Sequence, residues 1–485
     1  MELQKGVLLV REKVAIYKQK ILRYSKNPPY FPPSIFPEYP FKDEKIDKGN
    51  EVYSSLRQLL NLLNLDSHNF NTKAWNPFSS FISPGHTVLL KPNFVRHFND
   101  SGPVECLITH GSLIRAVLDY VYIALKGKGR IIIADGPIDE GDFEKITEIA
   151  GLEKVKEFYK DKAGFNIEIY DLRRERVIKK DNKIIERTRL KGDPNGYTVI
   201  NLGNDSAFKR NPLNYRTFKG SECIDEIMFS HHNKEKDEYL IANTFLQADI
   251  VINMPKMKTH RKAGVTLSLK NMVGVTGDRN WLPHFSGGSS GNNQTGFKED
   301  KVARVKAMCN FLNIYIGPFV KCAKRNLRYL IGLTESDIDG GDWYGNDIMW
   351  RTIVDLARIA RYTDHKGIIR QDRQRKCFII TDGIIAGECD GPISPLPKPC
   401  GVLVAGFDEF YVDIVTARLM GFDPLKIPKF KNILDGNSQW LLNARIENIE
   451  CASNIKAWHK NLSDFKGRCL GFKPYYGWKG KIEVK

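Results

Sequence analysis

The sequence lacks any pair of cysteines separated by two residues, although it holds nine: Cys106, Cys223, Cys309, Cys322, Cys377, Cys389, Cys400, Cys451 and Cys469. Zinc ribbons and iron–sulfur loops use such close spacing to bring thiolates onto one metal, so no iron–sulfur cluster is expected. Long apolar runs are missing as well. The best stretch, Met308 to Val320, is short and broken by Asn310, Asn313 and Pro318, so no membrane span is expected. The first ten residues carry a brief apolar run before Arg11 and Glu12 but no small-residue cleavage site, unlike a secretory signal. The cytoplasm is the expected compartment, and the scattered thiols are read as reduced core residues.

Several reaction signatures are also wanting. There is no serine elbow, no HExxH helix and no dinucleotide glycine fingerprint, and the basic loop near Lys270 lacks the spacing of a P-loop. What the chain has in excess is positive charge, a formal net +17. Lysines and arginines are spread along its length without a long run, so the charge reads as a solvated surface or as attraction for an anionic small molecule. Nucleic acid is the weakest of the three partners that such a balance admits. With 42% hydrophobic and 27% charged residues the chain is an ordinary globular one, and its 485 residues call for two lobes or one large domain with insertions.

Periodicity gives the organisation. Residues 1–85 read as an N-terminal arm and a helix: SKNPPYFPPSIFPEYPF is too proline-rich for a helix or inner strand, and leucines at helical spacing follow from Val52 to Leu65. Residues 86–172 form a first α/β lobe. In it the strand Thr87–Leu90, a helix with Ile114, Val117, Leu118 and Val121 on one face, and the strand Ile131–Ala134 predict a parallel pair. Residues 173–238 are charged, weakly periodic and read as an insertion. Residues 239–430 form a second α/β lobe with strands at 248–254, 377–381 and 402–405 and a helix at 410–420 stopped by Gly421. That lobe also holds long helices around 301–330 and 347–362 and a Gly/Ser-rich loop, SGGSSGNNQTG, readable as surface or as a lid. Residues 431–485 look like an irregular cap. The fold class is α/β, a mainly parallel sheet with flanking helices.

The chemistry should sit where strands end, because ligands of parallel sheets bind beyond the carboxyl edges. Strands lead into Lys91 and Asn93, into Asp135, into Lys256, Lys258 and His260, and into Asp382 and Asp408. In PKMKTH an extended backbone puts Lys256, Lys258 and His260 on one face with Met257 opposite. Three basic groups there repel unless an anion lies among them; the alternative is a solvated basic edge. In AGVTLSLKNMVG a helix starting near Thr266 would offer free amides to an anion, with Lys270 and Asn271 one turn in. Lys91, Asn93, Lys256, Lys270 and Asn271 are the candidate substrate-binding residues, and His260, His110 and Lys258 the candidate catalytic ones. RIIIADGP and CFIITDGI echo each other, so Asp135 and Asp382 are Asp-Gly turns, oxygen ligands for a divalent metal or general bases, and the echo hints at a duplicated α/β unit.

The phrases TVLLKPNFV, RIIIADGP, ADIVINMPKMKTHRKAGVTLSLKNMVGV, CFIITDGIIAGECDGP and GVLVAGFDEFYVDIVTARLMGFDP occur in the order expected of the domain of unknown function 362 family, which the chain resembles from about residue 87 to 428. The resemblance implies little chemistry. Many relatives carry a ferredoxin-like module, which this chain lacks. The arm resembles that of bacterial members associated with surface-polysaccharide loci. The expectation is an enzyme that binds a phosphate or carboxylate at the strand ends, with metal-assisted proton transfer an option. The other reading is a non-catalytic partner of proteins in a redox or surface-polysaccharide pathway.

Overall fold

Alternating apolar residues build the centre of the molecule, since successive side chains leave a strand on opposite sides. The computed structural model describes residues 13–485 except 43–44, 181–182, 211–212, 221–222, 288–340, 438–445, 447–448 and 468. In it Val88 and Leu90, Ile131 and Ile133, Ile250 and Ile252, and Phe378 and Ile380 enter one apolar cluster. Leu89, Ile132, Ala134 and Val251 enter a second, and Ile379 a third. Both sheet faces are covered, as parallel strands require.

The central sheet has eleven strands. They are β1 (Lys13–Lys18), β2 (Thr87–Pro92), β3 (Arg130–Asp135), β4 (Ile167–Asp171), β5 (Ile250–Met254), β6 (Lys256–His260), β7 (Gly264–Val265), β8 (Lys376–Glu388), β9 (Leu396–Gly406), β10 (Glu450–Ser453) and β11 (Lys460–Asn461). Their spatial order is β11-β10-β1-β9-β8-β5-β2-β3-β4, with β6 pairing beside the second half of β8 and β7 beside β6. From β8 to β4 all neighbours run parallel. Helices α1 (Glu51–Leu62), α2 (Gly111–Leu125) and α3 (Leu152–Ala163) cover one face. The short α4 (Leu267–Asn271), α5 (Met349–Tyr362) and α6 (Glu409–Met420) cover the other. The chain is thus α/β, with a mainly parallel sheet between helices. No helix among the described residues is long and apolar enough to cross a membrane.

Local signals act as their chemistry dictates. His110 caps α2 by accepting the Ser112 N–H at Nδ1, Asp408 caps α6 through the Phe410 N–H, and Gly421 at φ +95° ends α6 in the left-handed region.

Four features differ from the sequence expectation. The two α/β segments share one sheet, because β5 of the second lies between β2 of the first and β8. Both ends of the chain join it too: β1 and β10 pair with each other, so neither end is only an arm or a cap. The phrase ITDG does not turn. Strand β8 continues through it to Glu388, and a Cβ on Gly383 would meet Met257 at 2.7 Å and the Val402 carbonyl at 2.8 Å, so this glycine serves close packing. Strand β9 is antiparallel to β8, with Gly406 opposite Ile379. That places Asp408 at the other end of the sheet, held by Arg361 and Arg373, away from the expected polar rim. The 173–238 segment contains the hairpin Glu175–Lys180 with Lys183–Arg189, and a strand, Tyr197–Asn201, that pairs with Glu238–Ala242. Most of the Gly/Ser-rich loop and the helix expected at 301–330 lie outside the described residues.

Candidate functional site

Strands β2, β5 and β3 are neighbours that end together, at Pro92, Met254 and Asp135. Beyond those ends the backbone diverges and leaves a pocket of about 410 Å³ of empty volume, mouth included. Asn93, Asp135, Lys258, His260, Thr266, Lys270, Asn271 and Arg279 are its polar lining. The site therefore gathers residues from five separate segments of the chain.

At its base is an ion pair. The buried Lys91 ammonium lies 2.5 Å from Asp135 Oδ1. Asp135 also accepts the Gly136 N–H at Oδ1 and the Phe94 N–H at Oδ2. Burial pushes the lysine down and the aspartate up, and their attraction offsets part of this. Gly274 makes the closeness possible: a Cβ there would stand 1.9 Å from Asp135 Oδ1 and 2.7 Å from Lys91 Nζ.

Around this pair the pocket is rich in donors. Lys258 is fully buried and donates to the Leu107 carbonyl at 2.6 Å. Burial, then the neighbouring Lys256 charge, holds it well below the ordinary lysine range. Lys270 is pushed down to about 7, first by burial and then by Arg279, Lys429 and Lys91. Arg279 is anchored through Nε and Nη2 to the carbonyls of Gly136 and Pro137. His260 Nδ1 accepts the backbone N–H groups of Lys262 and Ala263, at 3.1 and 3.2 Å. Burial and the surrounding lysines keep its ring neutral, so the remaining proton sits on Nε2. Among the residues lining the pocket Asp135 is the carboxylate, and Lys91 already faces it.

Next to the pocket lies a second buried pair. Lys256 Nζ is 3.1 Å from Asp382 Oδ2, and both side chains are fully buried. The hydroxyl of Tyr24, from the N-terminal arm, donates to Asp382 Oδ1 at 2.5 Å and accepts from Lys256 at 2.7 Å. The backbone N–H of His110 donates to Asp382 Oδ2 at 3.0 Å, while its ring stacks on Tyr24 with centroids 4.0 Å apart. His110 Nδ1 is used by its capping bond, and burial takes the ring down to about 3.

A family model described as a domain of unknown function, DUF362, matches residues 88–193 and 177–418. The chain belongs to the DUF362 family. A curated relative, a thylakoid-associated protein of Synechocystis, is 23% identical over 210 residues, a match that takes in 43% of this chain and 42% of that one. The match thus spans less than half the relative's length. The DUF362 region contains every polar residue of the pocket, together with His110, Lys256 and Asp382. Tyr24 lies outside it.

The candidate residues therefore divide. Asn93, Asp135, Lys258, His260, Lys270 and Asn271 line the pocket, with Lys91 behind Asp135. His110, Lys256 and Asp382 form the sealed cluster beside it. Of PKMKTH, Met257 enters an apolar cluster and Lys258 and His260 line the pocket, but the register shifts between Lys256 and Lys258 and Lys256 pairs with Asp382 outside the pocket. The amides at the start of α4 are not free, however. Asp413 of α6 accepts the N–H groups of Ser268 and Leu269 and the Ser268 hydroxyl, so the protein supplies its own anion there. Asp135 and Asp382 sit in different clusters, each engaged by a lysine, and no group of three His, Cys, Asp or Glu side chains among the described residues is placed to hold a metal ion. Sequence reading missed Arg279 and Tyr24, which belong to a loop and an arm without periodicity.

Proposed function

We propose that this DUF362 protein binds an anionic small molecule, a phosphate or a carboxylate, in the pocket at the strand ends and transfers a proton there. One observation carries this: Lys258, Lys270, Arg279 and His260 line a single pocket whose carboxylate is already matched by Lys91. Arg279 already has Asp139 3.6 Å away, while burial and nearby positive charge hold Lys258 and Lys270 towards their neutral forms, and an incoming anion would favour their protonated forms. Lys270 is the proton carrier in this reading, since a group near 7 serves as acid or base at neutral pH. His260 presents a fixed Nε2–H and so stabilises negative charge instead of accepting a proton. Asp135 orients Lys91, and no step uses Asp135 or Asp382 as a metal ligand, because lysine and amide donors occupy each of them.

Thermal-shift and calorimetric titration with a panel of phosphates and carboxylates tests the binding. The wild-type protein should be stabilised by some members, and Lys270→Met and Arg279→Met should bind them at least about tenfold more weakly. Equal binding by the variants, or no response to any anion, would refute the reading. Deuterium uptake from heavy water into the bound ligand tests the proton step. A second reading is recognition without turnover; the Synechocystis relative is described only as thylakoid-associated. Recognition alone predicts binding without deuterium uptake.

A further inference from the structure

Three asparagine side chains at the pocket form a chain whose direction is fixed by the backbone. Asn253 Nδ2 donates to the Ser268 carbonyl at 3.1 Å, which leaves its Oδ1 facing Asn271. Asn271 Nδ2 donates to that oxygen at 2.8 Å and to the Lys91 and Pro92 carbonyls at 3.3 Å each. Turning Asn271 over would set its oxygen against three acceptors. Its Oδ1 therefore faces the other way, where it accepts from Asn93 Nδ2 at 3.0 Å and from Lys91 at 3.4 Å. Turning Asn93 over would oppose two oxygens. The chain thus ends on Asn93 Oδ1, a buried acceptor with no partner among the described residues. The backbone of Asn93 is clamped as well, by exchange with Thr109, whose hydroxyl is tied to the Met254 carbonyl. Asn93 cannot readily turn away to find a donor elsewhere.

A buried acceptor left unmatched costs free energy, and a site with one such group discriminates against ligands that cannot satisfy it. Building on the anion reading above, we infer that the ligand carries a hydroxyl next to its anionic group, and that Asn93 is the residue that selects it. Lys258, Lys270, Arg279 and the His260 Nε2–H are donors suited to the anion, and the acceptors Asp135 and Asn271 Oδ1 are already engaged, whereas Asn93 Oδ1 asks for a donor. The donor is a neutral hydroxyl, since an ammonium would be repelled by Lys258, Lys270 and Arg279. Two ligand types share this chemistry, a hydroxycarboxylate and a hydroxylated phosphate ester.

Calorimetric titration of matched pairs tests it: propionate against lactate, and ethyl phosphate against 2-hydroxyethyl phosphate. The wild-type protein should bind the hydroxylated member of at least one pair about tenfold more tightly, and the pair that responds identifies the anion type. In Asn93→Ala the ratio of the two affinities should fall to about one. Asn93→Ser gives the same comparison if the alanine variant does not fold. Equal affinity within both pairs in the wild-type protein, or a preference that survives both substitutions, overturns the inference while leaving anion binding intact. Failure of all four compounds to bind overturns the anion reading itself.

Discussion

Two lysine–aspartate pairs lie side by side in this molecule, and their surroundings make them different objects. Lys91–Asp135 and Lys256–Asp382 each join the ends or bends of adjacent parallel strands, and each aspartate also accepts a backbone N–H from a neighbouring segment, Phe94 in one case and His110 in the other. The first pair borders an open pocket. The second is closed by Tyr24, whose hydroxyl takes one bond from the lysine and gives one to the aspartate. A ligand placed beside the first pair would meet donors on Lys270 and His260 that have no partner among the described residues; around the second, every charged atom already has a partner within the protein. The comparison teaches that the arm completes the scaffold, whereas the pocket remains unsatisfied.

The largest effects should come from removing either aspartate. Asp382→Ala leaves Lys256 buried without its counter-charge and should cost about 3–5 kcal/mol in denaturant unfolding. Asp135→Ala should cost a similar amount, but added formate should restore part of its stability by entering from the pocket. Formate should do nothing for Asp382→Ala, and rescue of both would erase the distinction drawn between them. Gly274→Ala comes next. Its methyl group would collide with Asp135 Oδ1, so a loss of about 1–3 kcal/mol is expected, with anion binding impaired alongside. Tyr24→Phe should cost only about 1 kcal/mol and leave anion affinity unchanged, since it disturbs the sealed pair alone.

The last effect is one of pH. Lys270 falls from an ordinary lysine value in the unfolded chain to about 7 in the folded one. Between pH 7 and 10 the unfolded state therefore holds more protons, and this group makes stability rise with pH across that window. Below pH 7 its full penalty is present. Lys270→Met should accordingly raise the melting temperature more at pH 6 than at pH 9. An equal gain at both would show that Lys270 has an ordinary pKa.

Much of this fold was legible because near-continuous apolar runs in TVLL, RIIIAD, IVIN and CFII mark strands covered on both faces, and because the Gly421 stop is a local signal. The convergence of Asn93, Asp135, Lys258, His260, Lys270 and Asn271 followed from one rule about where parallel strands end. What escaped was non-local. Whether Asp382-Gly383 turns or continues depends on Met257 and Val402 across the sheet. The direction of β9, and with it the position of Asp408, depends on pairing partners. Asp413 reaches across from α6 to the start of α4, and Arg279 and Tyr24 reach their sites from segments with no periodic pattern to read.

The most direct test of a donor-rich pocket awaiting an anion is the proton balance of binding. Sulfate, which does not itself titrate near neutrality, should be added at pH 8 in two buffers of different ionisation enthalpy. The account predicts saturable binding with net proton uptake, because the anion raises the pKa of Lys270 and Lys258, and loss of most of that uptake in Lys270→Met. Binding without proton uptake, or no saturable heat at all, would contradict it.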